Sequence, residues 1–308
     1  MPNPAADWPE GIPRIWETFL DTPASETLDD ADVALIPIPY DSTTSFKSGA
    51  RHGPRAIINA SKQLEDLDIE LDRDISDVGI YTTQEIEPNV DGPEAMIERT
   101  RRVTDHFLSQ GKLVGLLGGE HTISIGGVTA ALEKHTDLSV LYLDAHADLR
   151  NEYMGSRWSH ACVARRLSER VPIVEAGVRS MSEEEKGFID KSGVPVFLWP
   201  PPAGVDELAA DIIEKLGPNV YVSIDLDVLD PSIMSAVGTP EPGGMDWHQI
   251  TTLLKAVADR RRIVAFDIVE LSPGEGPESC AFTAAKLAYK LIGYATNASQ
   301  RARHVSQD

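Results

Sequence analysis

The sequence predicts a doubly wound α/β fold with a mostly parallel sheet in a single domain. Short apolar runs rich in valine and isoleucine alternate with longer amphipathic segments along the chain of 308 residues. Several runs are hydrophobic on both faces, as in Leu-Val-Gly-Leu-Leu at 113–117, which is typical of parallel strands covered by helices on both sides. No linker, charge run or internal repeat divides the chain, so one domain is the simpler organisation.

Strands and helices are predicted to follow one another in regular alternation. The strands are 32–37, 112–117, 139–144, 172–177, 195–198, 219–225 and 263–269. The helices are 93–110, 124–134, 160–168, 206–215, 247–259 and 278–293. Such alternation builds the βαβ units from which a parallel sheet is made. The domain is expected to span residues 1–308, with 1–25 as an irregular N-terminal arm.

Composition restricts the partners and the compartment. The formal net charge is −21, and nucleic acid is not an expected partner because its binding depends on a basic surface. An acidic protein attracts cationic ligands instead. The two cysteines give no disulfide framework, and no apolar run reaches the roughly 20 residues of a membrane helix. Because the N-terminus also has no secretory signal, a cytoplasmic protein without membrane partners is expected.

The acidity itself suggests adaptation to high salt. Lysine is scarce, aspartate is abundant, and the charge is spread along the chain rather than held in a tail. We expect KCl to stabilise the protein strongly, because screening weakens the repulsion among acidic side chains. Thermal unfolding along a KCl series measures this effect. A midpoint that does not change with salt would contradict the hypothesis.

Three segments place carboxylates and histidines directly after predicted strands. They are Gly118-Gly119-Glu120-His121, Asp144-Ala145-His146-Ala147-Asp148 and Ser223-Ile224-Asp225-Leu226-Asp227. Extended residues two positions apart point to the same side of a strand. In an open α/β sheet the carboxyl ends of the strands form the site, so these side chains are expected to meet at one edge.

This grouping favours a pair of metal ions. Carboxylates gathered in a poorly solvated site raise one another's pKa values, and a bound cation removes that conflict. Oxygen and imidazole ligands without cysteine favour Mn²⁺ or a similar ion. Two ions that share carboxylates account for six ligands better than one ion does, and they activate a water near neutral pH. The six candidate ligands are His121, Asp144, His146, Asp148, Asp225 and Asp227.

A fourth segment, Phe266-Asp267-Ile268-Val269-Glu270, ends the last predicted strand. A carboxylate at that edge can hold a guanidinium through paired hydrogen bonds, although a helix cap or a salt bridge is the alternative role for Glu270. Glu120 is interpreted as a cap or a supporting residue, not as a ligand. Cys162 and Cys280 are interpreted as packing residues.

Taken together, the four segments resemble the ureohydrolase (arginase/agmatinase) family, and most closely the agmatinases. The match extends from about residue 37 to residue 273 and includes Pro39-Tyr40-Asp41-Ser42 and Gly49-Ala50-Arg51-His52-Gly53-Pro54-Arg55. The resemblance implies a three-layer, arginase-like α/β fold with two manganese ions per subunit. It also implies a homo-oligomer, a trimer or a hexamer.

The resemblance assigns roles to individual residues. The ligands of one ion are expected to be His121, Asp144, Asp148 and Asp225. Those of the other are expected to be His146, Asp144, Asp225 and Asp227, so that two aspartates bridge the pair. Glu270 is expected to hold the guanidinium, and Asp148 to help stabilise the tetrahedral intermediate. His160 is expected to deliver a proton to the leaving amine, for which a pKa near neutrality is suitable; its alternative role is a helix N-terminal residue after Ser159.

The implied substrate is a small cationic guanidine, with agmatine as the first choice and putrescine and urea as the products. The segments around His160, Gly177-Val178-Arg179-Ser180 and Glu270-Leu271-Ser272-Pro273 resemble the agmatinases more than the arginases. Arg150 stands where arginases carry an asparagine. It is expected to suit a guanidino acid such as guanidinobutyrate if it faces the pocket, and otherwise to form a surface or interface salt bridge.

Other functions stay open at this point. Arginine and aminopropylagmatine are alternative substrates, because the length of a pocket cannot be read from sequence. A different metallohydrolase, such as a deacetylase acting on acylated amines, is a second class. A non-catalytic metal-binding paralogue is a third.

Overall fold

A computed structural model describes residues 17–21 and 27–305, with side chains described up to residue 297. Most of the predicted arm at 1–25 therefore lies outside the described residues. Within it, Phe19–Asp21 form a short 3₁₀ turn, and Phe19 is fully buried.

The central feature of the fold is an eight-stranded parallel sheet. The strands in chain order are β1 (Val33–Ile38), β2 (Leu67–Asp68), β3 (Arg73–Asp74), β4 (Ile80–Thr82), β5 (Leu113–Gly118), β6 (Leu138–Leu143), β7 (Ile173–Val178), β8 (Val196–Leu198), β9 (Asn219–Asp225) and β10 (Arg262–Val269). The sheet has the order β4-β1-β5-β10-β9-β6-β7-β8, and each neighbouring pair is parallel. Strands β2 and β3 form a separate antiparallel hairpin.

Helices cover both faces of this sheet. They are α1 (Gly53–Ser61), α2 (Pro93–Leu108), α3 (Ser124–Lys134), α4 (Val163–Ser168), α5 (Glu183–Ser192), α6 (Val205–Lys215), α7 (Trp247–Arg260) and α8 (Ser279–Val305). Buried side chains of α1, α6, α7 and α8 pack in one core layer, and those of α2, α3 and α4 in the other. Alternate residues of a strand enter opposite layers, as Leu141 and Tyr142 of β6 do, which explains why these strands are apolar on both faces.

The predicted fold class is confirmed: the protein has a three-layer α/β architecture with a parallel central sheet. Each of the seven predicted strands is present, with ends within one residue of the prediction. The helical segments are present too, although α8 continues to Val305. Among the described residues, no helix is both long enough and apolar enough to cross a membrane.

Five elements were missed for physical reasons. Strand β4 is a three-residue edge strand, and the β2–β3 hairpin is equally short. Helix α1 opens on Gly-Pro, and α5 buries only Glu185, so it lacks the apolar periodicity that marks the other helices. The start of α5 is instead fixed by a capping box between Ser182 and Glu185.

The strand order brings the candidate site together. Strands β5, β10, β9 and β6 are consecutive neighbours in the sheet, and all four point the same way. Their carboxyl ends therefore meet at one edge, where His121, Glu270, Asp225 and Asp144 follow or end the strands.

Candidate metal centre

His121 is carried to the sheet edge by a turn that needs glycine. A Cβ atom on Gly119 would lie 2.0 Å from the carbonyl oxygen of Tyr40, so only glycine allows the turn to pass this close to the segment after β1. Backbone bonds from Gly119 N to Ile38 O and from Glu120 N to Tyr40 O fix the contact at 2.9 and 2.7 Å. The imidazole of His121 is thereby buried among the aspartates.

His121, Asp144 and Asp225 form the first potential metal-binding group. His121 Nδ1 lies 3.2 Å from Asp144 Oδ2 and 3.3 Å from Asp225 Oδ2, and one ligand atom from each residue lies within 4.8 Å of the others. Asp148 lies beside the group, with its Oδ2 3.7 Å from His121 Nδ1. The same oxygen accepts a hydrogen bond of 2.7 Å from Tyr142.

Asp144, His146 and Asp227 form the second group. His146 Nδ1 lies 2.9 Å from Asp227 Oδ2 and 3.6 Å from Asp144 Oδ1. Asp144 thus belongs to both groups, as expected of a bridging carboxylate. Asp225 belongs to the first group only, and its Oδ1 accepts a bond of 2.8 Å from Asp227 N. The structure therefore brings all six predicted ligands together.

The donor set fits divalent cations. Burial, followed by the charge of neighbouring aspartates, raises the pKa values of Asp148, Asp225 and Asp227. Burial alone would lower the pKa of His146, but Asp227 and Asp144 raise it to about 12. Asp144 Oδ2 is buried with no hydrogen-bond partner among the described residues. Divalent cations favour ionised carboxylates and neutral imidazoles, so two ions of the Mn²⁺ type would relieve each of these conflicts.

His121 is oriented by Ser223, Asp267 and Tyr221, for which the sequence predicted no such role. Its Nε2 lies 2.9 Å from Ser223 Oγ, which donates at 2.7 Å to Asp267, and Tyr221 donates at 2.7 Å to the same carboxylate. This series of hydrogen bonds orients the imidazole so that Nδ1 of His121 faces the aspartates. A signal was available in the sequence, because Ser223 precedes Asp225 by two positions on the same strand face.

Arg179 fixes the loops behind His146. Its guanidinium donates to the carbonyl oxygens of Asp227 at 2.7 Å, of Glu241 at 2.8 Å and of Pro242 at 3.1 Å. The side chain of Glu241 lies 3.7 Å from Nε2 of His146. The loop that carries Asp227 is thus tied to the one that carries Glu241. Sequence pattern gives no sign of such bonds, since they join an arginine to distant carbonyl groups.

Two candidate site residues adopt left-handed backbone conformations that are uncommon outside glycine. Asp148 has a φ of 48° and Glu270 a φ of 67°. Such conformations cost on the order of 1–3 kcal/mol each and concentrate at functional positions. Backbone bonds hold both residues: Arg165 N donates to Asp148 O at 3.1 Å, and Glu270 N donates to Gly119 O at 2.8 Å.

A cavity of about 280 Å³ opens onto both metal-binding groups. Its lining includes the candidate substrate-binding residues His160, Glu270 and Arg150. Glu270 is buried, and its Oε1 accepts a bond of 2.7 Å from His121 N. Burial and the charge of Glu120 raise the pKa of Glu270 to about 8. Binding of a cation is favoured there, because it stabilises the ionised carboxylate.

Arg150 lines the cavity near an aromatic ring and a carboxylate. Its guanidinium lies 4.9 Å from the centre of the Tyr153 ring, and its Nε lies 4.0 Å from Glu185. The side chain is 33% exposed. Arg150 therefore lines the cavity and also lies near a carboxylate.

The expectation of a near-neutral pKa for His160 is wrong in this structure. Burial lowers the pKa of His160 to about 4, and the side chains within hydrogen-bond distance of its ring are hydroxyls rather than carboxylates. The imidazole is therefore neutral at pH 7. Of the two roles predicted for Glu120, the supporting one is observed: it lies at an N-cap position without a capping bond, and its carboxylate accepts from Thr43 instead.

Glu175 is a fully buried carboxyl in the middle of β7. Neither of its oxygens has a hydrogen-bond partner among the described residues. Burial, with Asp144 and Asp148 nearby, raises its pKa well above the usual value. The folded protein thus holds this proton more tightly than the unfolded chain does. The contribution of Glu175 to the free energy of unfolding is fully present below its unfolded-state pKa of about 4.3. It is lost as the pH rises through its folded-state pKa.

Glu175→Gln is accordingly expected to stabilise the protein at alkaline pH. Relative to the wild type, the free energy of unfolding of the variant should be higher by about 1–3 kcal/mol more at pH 8 than at pH 5. The reason is that the amide cannot ionise. Denaturant unfolding at the two pH values measures the difference. Glu278→Gln, at an exposed position, is the matched control and should show no such dependence. Equal effects of Glu175→Gln at both pH values would show that Glu175 is ionised throughout.

Comparison with known proteins decides the family. The model of the arginase family matches residues 31–293. The chain belongs to the arginase family. N(1)-aminopropylagmatine ureohydrolase of Thermus thermophilus is 40% identical over 89% of this chain and 92% of its own length. Agmatinase of Pyrococcus horikoshii is 36% identical over 86% of this chain and 92% of its own length.

Solved structures of the arginase family share the fold. Agmatine ureohydrolase of Thermoplasma volcanium aligns with a TM-score of 0.84 at 29% identity, covering 93% of this chain and 96% of that one. The resemblance seen in the sequence is thus confirmed, as is the enzyme class: the protein is an arginase-family ureohydrolase. The family depends on two metal ions, and the His/Asp groups of this member can bind metal.

Proposed function

We propose that this ureohydrolase cleaves a linear cationic guanidine, with agmatine as the first substrate and urea and putrescine as the products. The observation that carries the proposal is the position of Glu270. Its buried carboxylate lines the same cavity as both metal-binding groups. A guanidinium held by Glu270 is therefore placed beside the metal centre.

The six residues from the three motifs would hold two Mn²⁺ ions per subunit. When bound, such ions supply Lewis acidity and an activated water, which is the nucleophile that urea release requires. The protein contributes the arrangement of the ligands. Tyr142 supports Asp148 through a hydrogen bond, and Ser223 orients His121.

Glu270 supplies binding and orientation. Its Oε1 accepts a hydrogen bond from the backbone N–H of His121, which restricts the carboxylate before the substrate arrives. A carboxylate and a guanidinium form paired, charge-assisted hydrogen bonds. A guanidinium held in this way would be oriented next to the residues that would hold the metal ions.

His160 moves a proton. Because its imidazole is neutral at pH 7, it must take up a proton before it can deliver one to the leaving amine. His160→Ala is therefore proposed to lower kcat while both metal ions stay bound. Loss of metal in that variant would contradict the role.

N(1)-aminopropylagmatine is the second candidate substrate. Relatives from Synechocystis and Thermus thermophilus, at 36% and 40% identity, carry the name of an enzyme for that polyamine. Glu185 also lines the cavity and adds a buried carboxylate 4.0 Å from Arg150, which favours a cationic tail. Both observations favour a substrate with a cationic tail over guanidinobutyrate or arginine.

A urea-release screen tests the proposal. The Mn²⁺-loaded enzyme in molar KCl is assayed with agmatine, N(1)-aminopropylagmatine, guanidinobutyrate and arginine. We expect kcat/KM for one of the two cationic substrates to exceed that for the two acids by about 100-fold, which corresponds to roughly 2.7 kcal/mol. A preference for guanidinobutyrate would assign Arg150 to the substrate carboxylate instead. If none of the four substrates releases urea but acetylated amines release acetate, the protein would instead be a deacetylase.

We also propose that the enzyme is a homo-oligomer, a trimer or a hexamer, as the family resemblance implies. Light scattering of the purified protein in molar KCl measures the assembly directly. A monomeric mass would contradict this part of the proposal.

A further inference from the structure

We propose that Glu120 and Thr43 form a positioning pair that sets the orientation of His160. Neither residue belongs to the two metal-binding groups. The inference rests on the function proposed for His160. Thr43 lies in the segment after β1, and Glu120 lies just after β5.

Glu120 is fully buried, and its carboxylate serves Thr43. The Thr43 N–H donates to Oε2 at 2.6 Å, and the Thr43 hydroxyl donates to Oε1 at 2.9 Å. The two residues are 77 positions apart in the chain. One buried carboxylate thus fixes both the backbone and the side chain of Thr43.

The segment that carries Thr43 is also fixed nearby. Asp41 is buried, accepts from Gly49 N at 2.8 Å and from Arg51 N at 3.2 Å, and pairs with the Arg51 guanidinium. Thr43 therefore lies in a segment held by two carboxylates, Asp41 from within it and Glu120 from β5. Contacts made by residues other than His160 thus help to fix the position of the Thr43 hydroxyl.

Contacts at Thr43 Oγ1 hold both the backbone and the ring of His160. The hydroxyl proton goes to Glu120, so the oxygen can act toward its other neighbours only as an acceptor. It accepts from the backbone N–H of His160 at 2.9 Å. His160 Nδ1 lies 3.4 Å from the same oxygen and 3.3 Å from Ser159 Oγ. The ring is thus oriented with Nδ1 toward the hydroxyls of Thr43 and Ser159.

The same orientation places the other ring nitrogen near the cavity. Nε2 of His160 lies 3.3 Å from Ser45 Oγ, and both residues line the cavity. In this orientation Nε2 is the ring nitrogen that can exchange a proton with the leaving amine. Glu120 and Thr43 act through His160 and do not touch the substrate.

A matched set of variants tests the pair in the full-length, Mn²⁺-loaded enzyme with the best substrate of the screen. Thr43→Val removes the hydroxyl but keeps the shape, and Thr43→Ser keeps the hydroxyl. We expect Thr43→Val to lower kcat by about 10-fold or more, with KM changed by less than about threefold. Thr43→Ser should stay within about threefold of the wild-type kcat. Bound manganese and the melting temperature are measured for every variant.

The double variant shows whether Glu120 acts on His160 through Thr43 or whether the two residues act on His160 independently. If Glu120 acts through Thr43, adding Glu120→Gln to Thr43→Val should change kcat by less than about twofold. If Glu120→Gln loses manganese because of its neighbour His121, the Thr43→Val and Thr43→Ser comparison carries the test alone. Equal impairment of the two Thr43 variants, or multiplicative effects in the double variant, would overturn the positioning pair.

His160→Ala separates this inference from the proposed function. A wild-type kcat in His160→Ala would overturn the role of His160, and the positioning pair with it. A low kcat in His160→Ala together with a wild-type kcat in Thr43→Val would overturn the positioning pair alone.

Discussion

Asp227→Ala is expected to abolish urea release, lowering kcat by about a thousandfold or more, together with loss of bound manganese. Asp227 Oδ2 lies 2.9 Å from His146 Nδ1, and Oδ1 accepts from Ala145 N at 3.0 Å. Alanine thus removes a ligand atom from the second metal-binding group. It also removes the hydrogen bond that holds the backbone of Ala145, between Asp144 and His146. Metal centres contribute several kcal/mol to transition-state stabilisation, and each 1.36 kcal/mol is about a factor of 10 in rate.

The measurement pairs elemental analysis with the urea assay. Asp259→Ala is the matched control, because Asp259 forms a partly exposed pair with Lys255 on α7, far in sequence from the motifs. That variant should keep its metal and its kcat, since such surface pairs contribute about 0–1 kcal/mol to stability. Two manganese ions and normal turnover in Asp227→Ala would remove Asp227 from the ligand set.

Glu270→Gln is expected to lower kcat/KM by between about 30-fold and several thousandfold while the metal content stays unchanged. The range corresponds to roughly 2–5 kcal/mol for removing one partner of a buried, charge-assisted pair. Glutamine keeps the size of the side chain and can still accept from His121 N, so the loss reports the charge that faces the guanidinium.

The control for this variant is Glu278→Gln, which makes the same chemical change at an exposed position. The assay uses both cationic substrates, so that a change of preference is not mistaken for a loss of activity. A normal kcat/KM in Glu270→Gln would show that the guanidinium is held elsewhere, and the substrate orientation proposed here would fail.

The sequence predicted those parts of the protein that follow from local pattern. Strands buried on both faces read as continuous apolar runs, which is why β5, β6 and β9 were found to within one residue. Pairs such as Asp144 with His146 were predicted to converge because residues two apart share a strand side. Parallel strands then placed the motifs at one edge of the sheet, where the two metal-binding groups lie.

The parts that escaped prediction depend on contacts between distant segments. The carbonyl oxygens that Arg179 binds, and the Thr43 hydroxyl that Glu120 binds, are brought near only by the folded chain. The pKa of His160 could not be anticipated either, since it follows from burial beside hydroxyl groups instead of carboxylates. Short elements such as β4 carry too few residues to show a period.

The central claim is that six side chains from three separate motifs hold a pair of manganese ions beside Glu270. Anomalous diffraction at the manganese edge, from crystals grown with Mn²⁺, tests it most directly. We expect two anomalous peaks per subunit, one beside His121 and one beside His146, with Asp144 next to both. A single peak, or peaks away from these histidines, would contradict it.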